Sequence, residues 1–166
     1  MLVNGSLLGA VSEFSGPGKL AVLVIDMEDR CMGGGVGTNI RCVLELARLR
    51  NLPVWFIETM VPTSAALKNV LPPTTPTIRK QYFNAFVDTP LKSQLDAHGC
   101  KTVVVTGATA AMCVMNSVCG GMEFTDFKSR PGAIDLGFNV MTCQAVISGE
   151  VVGWSDNSKI QFYSSL

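Results

Sequence analysis

Continuous apolar runs alternate along this chain with stretches in which apolar residues recur at helical spacing. Residues 20–25, 53–57, 102–106 and 139–142 are short apolar runs, the pattern of strands that are covered on both faces. Over 40–50 the apolar residues return every three or four positions, which predicts a helix. Strands that alternate with helices in this way favour a parallel sheet.

Further helices are indicated by residues typical of helix ends. Thr89 has the properties of an N-cap, Pro90 of a first helical residue, and Gly99 of the residue just past a helix end. We therefore expect a helix between Pro90 and Gly99. The strand over 102–106 is predicted to lead into another helix that starts near Cys113.

Two segments have little regular pattern. Residues 1–19 contain four glycines and one proline, and we expect them to form an irregular leader. Residues 59–79 contain four prolines, which predicts a loop or lid. The chain as a whole, residues 1–166, is predicted to be a single domain. Its expected fold is a three-layer α/β/α sandwich around a mainly parallel, Rossmann-like sheet.

The charge balance bears on the possible partners. The chain has thirteen basic and thirteen acidic residues, so no net electrostatic field favours binding to nucleic acid or an anionic membrane. The apolar runs are too short to cross a bilayer, and the residues before Lys19 lack the positive charge that begins a signal peptide. We expect a cytoplasmic protein that binds a small-molecule substrate and neither nucleic acid nor membrane.

Metal-ligating residues are few and scattered. The chain has six cysteines, none of them in a C-x-x-C pair, and a single histidine, His98. Because zinc sites need closely grouped ligands, we expect no metal centre and no other cofactor. The cysteines are interpreted as small core residues of a reduced protein, with Cys113 as the exception.

The junction over 103–113 is the segment most suggestive of catalysis. A β-branched run ends at Gly107, and small residues then lead to Cys113 and the predicted helix. Unpaired N–H groups and the dipole at a helix N-terminus favour negative charge, so we expect the Cys113 thiol to ionise more readily than a free one. The same N–H groups are suited to hold an oxyanion.

Two further charged residues follow predicted strands or the predicted lid. Asp26 comes directly after the run 20–25, so it should share the carboxyl edge of the sheet with Cys113. Lys80 would join them if the segment 59–79 folds back. Each residue also has a structural explanation: Asp26 as a loop cap, Lys80 as a solvated charge beside Arg79, and Cys113 as a core residue.

Three segments resemble the isochorismatase-like cysteine hydrolases, the family that includes nicotinamidases and N-carbamoylsarcosine amidase. Residues 22–27 are similar to its first strand and catalytic aspartate. Residues 78–86 are similar to its lysine motif, and residues 104–114 to its nucleophile motif. The order and approximate spacing of the three segments also agree, over about residues 20–125.

The resemblance implies a catalytic triad of Asp26, Lys80 and Cys113 at the ends of the strands. It also implies a cis peptide bond between Ala108 and Thr109. The N–H groups of Thr109 and Cys113 would then bind the oxyanion, with Ala108 and Thr109 at the substrate.

The implied activity is hydrolysis of a C–N bond in a small amide or carbamoyl compound, through a thioester on Cys113. Tyr82, which lies within the lysine motif, is expected to contact the substrate. The family also leads us to expect a homo-oligomer, either a dimer or a tetramer.

The chain departs from the family pattern at several positions. Nicotinamidases of this family commonly bind a metal through an aspartate and two histidines, whereas this chain has His98 alone, which we expect to be a solvated helix-end residue. Ala110 and Ala111 stand where threonine and aspartate are frequent, and beyond Cys119 the match fades. Two other functions therefore stay open. One is an inactive family member that acts as a binding or scaffold protein, and the other is a vinyl-ether hydrolase that uses Asp26 alone as its acid.

Overall fold

The computed structural model describes residues 1–16, 18–153 and 157–166. The strands, in chain order, are β1 (Leu2–Ser6), β2 (Lys19–Ile25), β3 (Val54–Glu58), β4 (Thr77–Arg79), β5 (Cys100–Ala108), β6 (Gly121–Glu123), β7 (Lys128–Arg130), β8 (Asn139–Cys143), β9 (Ile147–Ser148) and β10 (Ile160–Ser165). The α-helices are α1 (Leu7–Ser12), α2 (Val36–Leu49), α3 (Ala65–Lys68), α4 (Leu91–Ala97) and α5 (Met115–Cys119). Short 3-10 turns cover Asp29–Cys31 and Gln144–Val146, and a π-helical turn, Ala110–Val114, runs directly into α5.

A parallel sheet is the centre of the described structure. Its strand order is β1-β10-β8-β5-β2-β3-β4, with the short β9 also paired to β5. All of these pairings are parallel, whereas β6 and β7 form a separate antiparallel hairpin. The predicted architecture, a three-layer α/β/α sandwich with a mainly parallel sheet, is confirmed. Strand β2 lies between β3 and β5, and its apolar run 20–25 is buried along its whole length, as the pattern predicts.

Residues 2–12 form a strand and a helix, not part of the irregular leader that the sequence predicts over 1–19. Strand β1 pairs with β10 at the edge of the sheet, and Leu7 and Val11 on α1 are fully buried. The Ser6 hydroxyl accepts a hydrogen bond from the Gly9 N–H at 2.9 Å and so caps α1. The prediction was wrong because the partner of β1 lies at the other end of the chain, where no local pattern can reveal it.

The proline-rich segment 59–79 is also more regular than a loop or lid. It contains α3 and ends in β4, which pairs with β3 through Ile57 and Ile78. Strand β4 brings the next residue, Lys80, to the carboxyl edge of the sheet. Among the described residues, no helix is both long and apolar enough to span a membrane.

Gly107 allows β5 to lie close against the end of β2. Its φ is +136°, and a side chain at this position would overlap the carbonyl oxygen of Ile25, its partner in the parallel register. A glycine is therefore needed here. This close approach places the segment that carries Cys113 beside Asp26, the residue that follows Ile25.

Candidate active site

Three side chains selected from the sequence meet at the carboxyl edge of the sheet. Asp26 follows β2, Lys80 follows β4, and Cys113 lies in the π-helical turn after β5. The Lys80 Nζ lies 2.7 Å from the Asp26 Oδ2 and 3.5 Å from the Cys113 Sγ. The fold therefore brings the three groups into direct contact, although they are far apart in the sequence.

The Lys80 side chain is buried, and hydrogen-bond acceptors surround its ammonium group. Its side chain is 0 % exposed, and its Nζ also donates to the Tyr82 carbonyl oxygen at 3.0 Å. An ammonium group has three N–H donors, and here it has three partners: a carboxylate, a sulfur and a carbonyl oxygen. The interpretation of Lys80 as a solvated charge beside Arg79 is therefore wrong.

The carboxylate of Asp26 is buried at the end of β2. Both of its carboxylate oxygens are buried without a hydrogen-bond partner among the described residues; Oδ2 forms an ion pair with the Lys80 Nζ at 2.7 Å, whereas Oδ1 has no ion-pair partner there. Its backbone φ is +49°, and its N–H donates to the Ile57 carbonyl oxygen at 2.8 Å, which fixes the residue at the end of β2. A buried acceptor without a hydrogen-bond donor is costly, so the Asp26 carboxylate has unused capacity to accept a hydrogen bond.

The expectation that the Cys113 thiol ionises readily is wrong. Burial raises its pKa to about 12; the Lys80 charge opposes this shift, and the Asp26 charge adds to it. The sequence shows that a cysteine follows a strand, but not that distant segments enclose the sulfur or that a carboxylate lies nearby. In the resting site Cys113 is a neutral thiol beside an Asp26–Lys80 ion pair.

This raised pKa predicts a loss of stability at alkaline pH. The folded Cys113 keeps its proton after the unfolded thiol, with its ordinary pKa of 9.0, has lost it. The stabilisation is therefore complete below pH 9 and is lost as the pH rises toward 12.

Between pH 7 and pH 10 we expect the free energy of unfolding to fall by about 1 kcal/mol through this thiol. Urea denaturation of the reduced protein at both pH values measures the loss, and Cys113→Ala should diminish it by that amount. An undiminished loss in Cys113→Ala would contradict the assignment.

The turn before Cys113 has the backbone geometry that the resemblance implies. The peptide bond between Ala108 and Thr109 is cis. Thr109 is exposed, and its carbonyl oxygen accepts from the N–H groups of Met112 and Val114 at 3.1 and 3.2 Å. The roles of Ala108 and Thr109 at a substrate stay predictions.

Tyr82 holds Lys80 through its main chain rather than its ring. Its carbonyl oxygen accepts from Lys80, while its ring lies 5.7 Å from the Arg130 guanidinium. A contact between this ring and a substrate stays a prediction.

Sequence reasoning missed a second ion pair, between the buried Glu58 at the end of the neighbouring strand and the half-buried Lys68. Glu58 ends β3, and its Oε1 lies 2.6 Å from the Lys68 Nζ and accepts from the Thr63 N–H at 2.7 Å. Burial alone raises the pKa of Glu58, but the hydrogen bonds from Lys68 and Thr63 outweigh it and hold the pKa below its ordinary value. The pair connects the start of the segment 59–79 to α3, on the way to Lys80.

Sequence reasoning also missed Ser117 and Glu123, two buried polar residues that follow Cys113. Both accept hydrogen bonds from the main chain just after Lys80. The one available signal was a carboxylate at position 123 between the apolar residues Met122 and Phe124.

A cavity lies at the opposite edge of the sheet. It measures about 680 Å³ and is lined by residues that begin strands, such as Leu20 and Val54, and by His98. The length of β2 separates this cavity from Asp26 by about 20 Å. His98 is exposed and ends α4, as predicted. Within the described ranges, no group of three histidine, cysteine or acidic side chains is placed to hold a metal ion.

Comparison with known protein families gives one match. A family model described as "Isochorismatase domain" matches residues 20–125. No curated protein sequence matches the chain.

Several solved structures share the fold. A nicotinamidase from Staphylococcus aureus superposes with a TM-score of 0.70 at 16 % identity, covering 89 % of this chain and 99 % of that one. An N-carbamoylsarcosine amidase from Thermoplasma acidophilum gives 0.68 at 18 % identity, with 87 % and 95 % covered. An isochorismatase family protein from Burkholderia thailandensis gives 0.69 at 17 % identity, with 89 % and 94 % covered.

Proposed function

We propose that this chain, which belongs to the isochorismatase family, is a hydrolase that cleaves a C–N bond of a small amide or carbamoyl compound through Cys113. The observation that carries the proposal is the contact of Lys80 with both Asp26 and Cys113, at 2.7 and 3.5 Å. A nucleophile beside a base and a cation is the arrangement that covalent catalysis needs. The names of two structural neighbours, a nicotinamidase and an N-carbamoylsarcosine amidase, support the choice of bond.

The first step forms the bond between sulfur and carbon. As the Cys113 sulfur attacks the carbonyl carbon, its proton passes to the Asp26 carboxylate, and the carbonyl π electrons move to oxygen. Because the thiol is neutral at rest, this proton transfer has to accompany the attack. Lys80 stabilises the negative charge that develops on the sulfur, and the N–H groups of Thr109 and Cys113 receive the oxyanion.

The second step breaks the C–N bond. Asp26 returns the proton to the leaving nitrogen, which departs with the bonding electrons as ammonia or an amine. The carbonyl re-forms as a thioester on Cys113. Asp26 has then acted first as a base and next as an acid.

Water completes the cycle. Asp26 takes a proton from a water molecule, whose oxygen adds to the thioester carbon. The S–C bond then breaks, and the proton returns from Asp26 to the sulfur. The net reaction adds one water across the C–N bond and regenerates the thiol.

An ammonia-release assay tests this function. The wild-type protein is incubated with nicotinamide, N-carbamoylsarcosine, and simple primary amides and ureides, and with an enol ether as the competing substrate class. We expect at least one amide or ureide to be hydrolysed with a kcat of about 1–1000 s⁻¹, the usual range of enzymes. Cleavage of the enol ether without ammonia release from any amide would contradict the proposal and favour a reaction that uses Asp26 alone.

A further inference from the structure

The main chain after Lys80 is held by a buried carboxylate. Glu123 in β6 is 0 % exposed. Its Oε2 accepts from the Phe83 N–H at 2.9 Å and its Oε1 from the Asn84 N–H at 2.8 Å. Hydrogen bonds to an ionised group are roughly twice as strong as neutral ones, so each oxygen of this carboxylate holds one of two consecutive N–H groups.

The next N–H group is tied to the Cys113 segment. The Ala85 N–H donates to the Ser117 hydroxyl at 2.9 Å, and that hydroxyl donates to the Cys113 carbonyl oxygen at 2.6 Å. Three successive N–H groups after Tyr82 are therefore fixed by the segment that follows the proposed nucleophile.

The hydrogen bond from the Phe83 N–H to Glu123 orients the Tyr82 carbonyl group, which accepts from Lys80. The Phe83 N–H and the Tyr82 carbonyl belong to the same peptide group, which is planar. When Glu123 holds the N–H, it also sets the direction of the carbonyl oxygen that accepts from the Lys80 Nζ at 3.0 Å. The position of the ammonium between Asp26 and Cys113 therefore depends on a carboxylate that does not touch it.

We propose that Glu123 is a positioning residue for Lys80, acting through the peptide group that joins Tyr82 and Phe83. This inference rests on the proposed function, in which Lys80 stabilises the charge on Cys113. The competing explanation is structural: Glu123 only anchors the β6–β7 hairpin against the rest of the fold.

The test uses the rate at which iodoacetamide alkylates Cys113, followed by mass spectrometry of its peptide from pH 7 to 10, so that no substrate is needed. Glu123→Gln keeps the size of the side chain but turns one acceptor into an NH₂ donor that faces an N–H group. We expect alkylation to slow by about fivefold at each pH, the change that corresponds to one hydrogen bond. As a control, Asp135→Asn alters an exposed carboxylate that also accepts one main-chain N–H, from Gly132 at 3.0 Å, and should leave the rate within about twofold.

The same substitution in a protein that lacks the Asp26–Lys80 ion pair distinguishes a positioning effect on Lys80 from a general loss of structure. In a protein that carries Lys80→Met and Asp26→Asn there is no ammonium to position, so adding Glu123→Gln should change the rate by less than about twofold. An equal slowing or an equal acceleration in both backgrounds would overturn the proposal and assign Glu123 a purely structural role. An unchanged rate with Glu123→Gln in the otherwise wild-type protein would overturn it as well.

If the proposed function is wrong, so that Lys80 does not assist Cys113, the alkylation rates show a different pattern. If Lys80→Met alone, folded as judged by its thermal transition, alkylates at the wild-type rate, then Lys80 does not assist Cys113. The proposed function then fails together with the positioning role that rests on it. Slowing in Lys80→Met but not in Glu123→Gln leaves the function standing and rejects the positioning role alone.

Discussion

Cys113→Ala is expected to lower kcat/KM for an amide substrate by at least about 10⁴-fold, the scale of loss seen when a catalytic nucleophile is removed. Without the sulfur no thioester forms, and only binding and oxyanion stabilisation are left to accelerate hydrolysis. The fold should persist, because the main-chain hydrogen bonds of the turn, including that from Val114 to Thr109, do not involve the thiol. Steady-state ammonia release measures the loss.

Cys119→Ala is the matched control for this prediction. Cys119 follows on α5, is half-buried like Cys113, and burial raises its pKa to about 11. It contacts none of the reacting groups, so its removal should leave kcat/KM within about threefold. Normal turnover in Cys113→Ala, or an equal loss in both variants, would reject the nucleophile assignment.

Lys80→Met should destabilise the fold as well as slow catalysis. The substitution leaves the Asp26 carboxylate buried without the cation that now lies 2.7 Å away. Breaking a buried ion pair in this way costs about 3–5 kcal/mol. We expect the free energy of unfolding, measured by urea denaturation at pH 8, to fall by that amount.

Two further variants show whether the loss comes from the unpaired charge. Adding Asp26→Asn to Lys80→Met removes the charge and should recover most of the stability. Lys92→Met breaks an exposed ion pair with Asp96 on α4, at 2.5 Å, and should cost less than about 1 kcal/mol. Equal losses for Lys80→Met and Lys92→Met would contradict the burial of the Asp26–Lys80 pair.

The central strands could be predicted from the sequence because their signals are local. The run 20–25 is apolar at every position, the pattern typical of a strand covered on both faces. Once the sheet is known to be parallel, the residue after such a strand lies at the carboxyl edge, so Asp26 and Cys113 could be assigned to one site. Lys80 was assigned chiefly through the family resemblance, because the sequence of the segment before it has little regular hydrophobic pattern, although the segment folds into α3 and β4.

The features that could not be predicted depend on contacts between distant segments. Strand β1 exists because β10 is its partner, more than 150 residues along the chain. The raised pKa of Cys113 follows from burial by several segments, and sequence position alone suggested the opposite shift. The sequence alone indicates no role for Glu123. The fold places its carboxylate within hydrogen-bond distance of the Phe83 and Asn84 N–H groups.

Rapid acid quenching during turnover, followed by intact-mass and peptide analysis, tests the central claim most directly. The account predicts that the acyl part of the hydrolysed amide is found as a thioester on Cys113 and that no such adduct forms in Cys113→Ala. Finding the acyl group on another residue, or continued turnover in Cys113→Ala without any adduct, would contradict it.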